Sequence, residues 1–160
     1  MGPGSNPASK HMEITMTSAF DLYDHFAVAE DKETQGVWVS PISEDENAPK
    51  FKLARAGGAN RAYTIAAGRA MKPYGPSIQK GAQNLDPATL DLIKGLNFKV
   101  FIEHSLKDWK NVTMKGEPVP FSKEAAADLL TKLPELYEKL FSEASEISNF
   151  RPDDKADLGN

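Results

Sequence analysis

The sequence predicts an α+β fold that is predominantly α-helical: an N-terminal helix and a β-hairpin, then a compact bundle of about four to five helices. Three observations carry this. Only two short runs, Val37–Val39 and Phe51–Leu53, favour strand by composition. Most of the remaining apolar residues recur at helical spacing. Helix-start signals, Asp86-Pro87, Ser122 and Pro134, stand directly before the longest of these stripes.

From the N-terminus, "MGPGSNPASKHM" lacks an apolar pattern and reads as an expression leader over residues 1–11. One domain is expected over residues 12–151, and a disordered polar tail over 152–160. In "TSAFDLYDHFAVAED", Thr17 or Ser18 offers an N-cap, and Phe20, Tyr23 and Phe26 step along one helical face. The two strand-like runs flank a connector of Ser, Pro, Asp and Asn, which suggests an antiparallel hairpin with a long, acidic, mobile tip. Gly57 and Gly58 end the second strand and Asn60 can cap the next helix. Tyr63, Ala66, Ala67 and Ala70 lie on one side of that helix, and Pro73 stops it. A face of small residues permits close helix approach.

"PYGPSIQKGAQN" holds too many breakers for a long helix and predicts a turn or two with loop. Asp86 and Pro87 then open the best candidate for the core helix, with Leu90, Ile93, Leu96 or Asn97, and Val100 or Phe101 along its stripe. The sequence reads as helix through to Trp109. Next, "LKDWKNVTMKGEPVPFS" combines a tryptophan, a glycine-centred turn and two prolines. It predicts a structural lock: Trp109 buried between helices, Phe121 stapling onto Ala126, and Ser122 capping the helix that follows. Pro134 restarts a final helix, with Leu136, Leu140 and Phe141 on its apolar side.

With 160 residues, 40% of them hydrophobic and 26% charged, the chain can build one real core. Having no cysteine, it has no disulfide, no thiolate chemistry and no cysteine-ligated zinc. Neither a signal peptide nor a membrane-spanning run is visible over residues 12–160, so the cytoplasm is expected and a membrane partner is not. Charge is segregated: residues 12–47 hold nine acids and one base, whereas residues 48–85 hold seven bases and no acid. The net sign is acidic and the basic run lacks interleaved aromatics, which argues against nucleic acid and for a complementary protein surface. Homo-oligomerisation follows as an expectation, the basic third of one copy meeting the acidic third of the next. The residues expected at partner or self-assembly contacts are Trp38, Arg55, Arg61, Arg69 and Lys72.

No enzyme is indicated and no cofactor implied. There is no phosphate-binding loop, and "AGGAN" is a weak anion-binding signal best explained as a turn. His25 and His104 lack metal-ligand spacing, and His104 reads as the helical neighbour of Asp108. Glu143 and Glu146 form a solvated helix face.

The succession "DWKNVTMKGEPVPFSKEAAADLLTKLPELYEKLFSEASEISNF" resembles the C-terminal half of tail assembly chaperones from long-tailed bacteriophages. "KFKLARAGGANRAYTIAAGRAMKPY" is similar to the basic strand and following helix of the same family. Together the two blocks fall within Gly36 to Arg151. The resemblance implies a non-enzymatic assembly factor of the host cell cytoplasm. Such a factor binds the long helical tape measure protein, keeps it soluble, promotes recruitment of the tail tube protein and is absent from the mature virion. The alternative is a structural tail completion or tube protein that stays in the particle.

Overall fold

The computed structural model describes residues 20–153. The leader at 1–11, the Thr17 or Ser18 cap and most of the polar tail lie outside the described residues. The fold is α+β and predominantly helical, as the sequence predicts. Its helices are α1 (Leu22–Phe26), α2 (Glu30–Gln35), α3 (Arg61–Met71), α4 (Gly75–Gln79), α5 (Pro87–His104), α6 (Lys123–Lys132) and α7 (Pro134–Ser145). The strands are β1 (Val37–Val39), β2 (Lys50–Leu53), β3 (Leu106–Lys110), β4 (Thr113–Met114) and β5 (Glu117–Pro118).

The predicted hairpin is present, with Val37 opposite Leu53 and Val39 opposite Phe51. It is two-thirds of a larger sheet. β3 pairs antiparallel with the other edge of β2, in the order β1-β2-β3. The core helix therefore ends at His104, and the expectation of helix through Trp109 is wrong. A register shift explains the error: Lys52 faces Asp108 but Leu53 faces Leu106, so Lys107 is the extra residue of a bulge. Leu106 and Trp109 are both buried three residues apart, which imitates a helical period. Asp108 consequently sits on a strand and accepts from the Trp109 N–H at 2.8 Å. His104 instead lies 3.8 Å from Glu103.

The hairpin tip carries hydrogen bonds of its own. Asp45 N–H donates to Ser43 Oγ and Asn47 N–H to Asp45 Oδ1, while Lys50 Nζ reaches Ser40 Oγ at 3.0 Å. Asn111 Nδ2 pins it from across the sheet, on the carbonyls of Glu46 and Ala48.

β4 and β5 form a second, two-stranded hairpin. Its turn residues Lys115 and Gly116 both have positive φ, 51° and 84°, as a two-residue turn matched to strand twist requires.

Behind the sheet, α5 is the central element. Asp86 Oδ1 accepts from the Thr89 N–H at 2.7 Å and Pro87 fills the first turn. Ile93, Val100, Phe101 and Ile102 are its buried residues. α3 packs along it through a side built from Tyr63, Ala66, Ala67 and Ala70. α6 and α7 cover it from the C-terminal half, burying Leu129, Leu130, Leu140 and Ala144. Phe51, Leu53, Phe101, Leu106 and Phe150 are sealed at the meeting of sheet and helices.

Candidate functional site

Three regions bear on function: the lock around Trp109, the seats of the predicted contact residues, and an open groove between helices.

Trp109 is buried, with the edge of its ring against Phe51 at 6.1 Å and Phe121 at 5.0 Å between centroids. Its indole Nε1–H donates to the Val119 carbonyl at 2.7 Å, as a buried indole requires. Ser122 Oγ accepts from the Ala125 N–H at 2.9 Å and caps α6. Phe121 spends its ring on Trp109, so the indole joins β2 to the approach of α6. One more tie was not anticipated. Lys123 Nζ donates to the carbonyls of Ile102 and Leu106, both at 2.6 Å, and so satisfies the carbonyl end of α5. Burial holds its ammonium below the usual lysine value, with Lys107 adding to the shift.

The predicted contact residues fall apart into three settings. Arg55 points inward: its Nη1 meets Glu33 Oε2 at 2.7 Å and its guanidinium stands over the Phe150 ring. The acidic and basic thirds thus meet here within one chain, and Arg55 is withdrawn from the outer surface. Trp38 is 41% exposed on the edge strand β1, with Lys110 Nζ 4.3 Å from its ring centroid. Only Arg61, Arg69 and Lys72 stand free, on the solvent side of α3 and its end.

Glu33 carried no sequence signal, because it lies in the all-polar stretch "EDKETQ". It is nonetheless buried, and α2, which holds it, was not anticipated. Its Oε1 accepts from the Ala59 N–H at 3.2 Å, and a Cβ at Gly58 would overlap its carboxylate. The "AGGAN" turn therefore does cradle an anion, and the anion is the chain's own Glu33. Asn60 is freed from capping for the same architecture. Its Nδ2 donates to the carbonyls of Arg55 and His104 and ties the start of α3 to the end of α5.

The groove lies between α5, α6 and α7. It is open, has a volume of about 470 Å³ and is lined chiefly by Phe98, Leu130, Pro134, Tyr137 and Phe141. Phe98 and Tyr137 meet edge to face at 5.0 Å, and Phe101 backs Tyr137 at 5.3 Å. Lys94 and Glu138 stand at its rim. Phe98 also lines a second depression of about 390 Å³ beside Ile102 and Ala127. Phe141 leaves over a third of its surface in solvent. Burial pushes the Tyr137 hydroxyl pKa up, with Glu138 adding to the shift. Phe141 lay on a predicted stripe, whereas Phe98 fell between two alternatives for the α5 stripe and was missed.

The chemistry offered is apolar recognition with a mixed polar rim. Among the described residues, no three His, Cys, Asp or Glu side chains converge to hold a metal, and no helix is long and apolar enough to cross a membrane.

No curated protein and no solved structure matches the chain. A family model does: residues 58–160, which include α3 to α7, the lock and the whole groove, match the model described as YdaY prophage protein, so the chain belongs to that phage-derived family.

Proposed function

We propose that this prophage protein acts as a tail assembly chaperone, holding the tape measure protein soluble and promoting recruitment of tail tube subunits around it. The observation that carries the reading is the aromatic groove between α5, α6 and α7. A long, largely helical client offers apolar anchors at three- and four-residue spacing, and helix-in-groove docking reads that spacing. A second depression shares Phe98 as a lining residue, and the groove carries both signs of charge, Lys94 and Glu138, which suits a polar-sided helix. The resemblance of the C-terminal segment to tail assembly chaperones points the same way.

Co-expression with a phage tape measure protein is the test. Solubility of that product should require this chain, and should be lost with Thr131→Asp/Phe141→Asp, which alters two exposed residues lining the groove, in a variant whose urea melt shows it still folded. A client equally soluble alone, or equally soluble with the double variant, sinks the reading. Mass spectrometry of purified particles addresses the second role: a chaperone is absent, whereas a tail completion or tube protein is retained.

A further inference from the structure

Two surfaces unused by the groove complement each other in charge and polarity. The first is α1 with the two residues before it. Phe20, Leu22, Tyr23 and Phe26 are 83%, 73%, 66% and 65% exposed, so almost every apolar side chain of this segment faces solvent. Between and after them stand Asp21, Asp24, Glu30 and Asp31. The segment is nevertheless held in place: Arg151 Nη2 donates to the His25 carbonyl and the Ala29 N–H to the Phe150 carbonyl. Apolar residues clustered at this density are rarely left in water without an occupant.

The second surface is the outer side of α3. Arg61, Ile65, Gly68, Arg69 and Lys72 are exposed at helical spacing. Ile65 is 55% exposed at the centre, flanked by the two arginines. Residues 48–85 supply no acid of their own, and the acids nearest Arg61 are Glu30 and Glu33, which line a depression with it. One surface is acidic around aromatics, the other basic around an aliphatic. Both belong to the same side of the molecule, since Phe26 and Arg61 line one depression, together with Glu30 and Glu33.

We propose that these two surfaces form a self-association site, on which a second copy docks about a two-fold axis with α1 of each protomer across α3 of the other. Because the patches are neighbours, such an axis engages both pairs at once and closes the assembly. A head-to-tail chain would engage only one pair per contact. Opposed charge sets the register and speeds encounter, while the aromatics supply the burial.

Sedimentation velocity on the full chain tests this without any client. A monomer–dimer equilibrium is expected, its dissociation constant rising about tenfold or more between roughly 0.05 and 0.5 M salt as the pairing is screened. Arg61→Glu/Arg69→Glu and, separately, Asp24→Lys/Asp31→Lys should each be monomeric under conditions where the parent dimerises. An equimolar mixture of the two variants should dimerise again, because each acidic patch then meets a basic one; a defect in folding cannot be rescued this way. Tyr23→Ser and Ile65→Ser, which change no charge, should weaken the dimer as well. The proposal is overturned by a monomer at all concentrations in low salt, by failure of the mixed variants to associate, or by growth past the dimer. It is also overturned by a parent chain that stays monomeric yet binds a DNA duplex through Arg61 and Arg69.

Discussion

Two aromatic clusters in this chain have opposite fates. Trp109, Phe51 and Phe121 are packed edge to face in the core, whereas Phe20, just before α1, and Tyr23 and Phe26 on it stand in water. Composition does not separate them, for both are aromatic-rich stretches with acids nearby. What separates them is a second element: β3 delivers Trp109 against β2, and the Val119 carbonyl takes its N–H. α1 has five residues, caps itself through Asp21 and buries none of them. An aromatic stripe becomes core only when topology supplies its opposite wall.

The comparison breaks most visibly at Trp109. Trp109→Ala removes the packing of a buried indole and orphans the Val119 carbonyl, so about 3–5 kcal/mol of stability should be lost in urea unfolding. A loss under 1 kcal/mol would mean that the lock is not a lock. Next in size is Glu33→Ala, which strands the half-buried Arg55 guanidinium and the Ala59 N–H; a cost of about 3 kcal/mol is expected, read as a lower urea midpoint at unchanged slope.

Alkali gives a graded effect. Burial, with the neighbouring Tyr137, pushes the Tyr63 hydroxyl up to about 12 from the ordinary tyrosine value of 10.0. Above pH 10 the unfolded chain releases this proton while the folded chain keeps it, so stability falls as pH rises from 10 toward 12. Tyr63→Phe should flatten that part of the decline, and an unchanged slope in a pH series of urea melts would count against it. Smallest of all, Phe20→Ser/Tyr23→Ser should change the stability of the monomer by no more than about 0.5 kcal/mol, although the same residues matter to the proposed dimer. A large loss in that variant would show that α1 belongs to the core after all.

The helical skeleton was legible because its signals are local. Asp86 with Pro87, Ser122 and Pro134 mark the starts of α5, α6 and α7, and a cap is chemistry between near neighbours. The third strand was not legible. A bulge at Lys107 gives β3 a burial period of three, and the pairing depends on β2, far back in the chain. Glu33 was invisible for a related reason. Its partners, Arg55 and Ala59, lie in another segment, so nothing within "EDKETQ" announces a buried carboxylate. Of the predicted contact residues, Arg61, Arg69 and Lys72 stand free, whereas Arg55 is turned inward by that same carboxylate. The groove needed Phe98 and Tyr137 brought together from two helices, which no single stretch of sequence can display.

The middle position of β2 has a consequence for how the protein is made. β2 is reached early in synthesis, yet one of its edges is finished only by Leu106–Lys110, and Ser105 Oγ donates to an Ala54 carbonyl 51 residues upstream. Until that segment leaves the ribosome, β2 is paired along its β1 edge alone, and an open strand edge invites pairing with other chains. The sheet therefore closes only about 50 residues after β2 is made, and nascent chains halted before Leu106 should aggregate more readily than the whole chain.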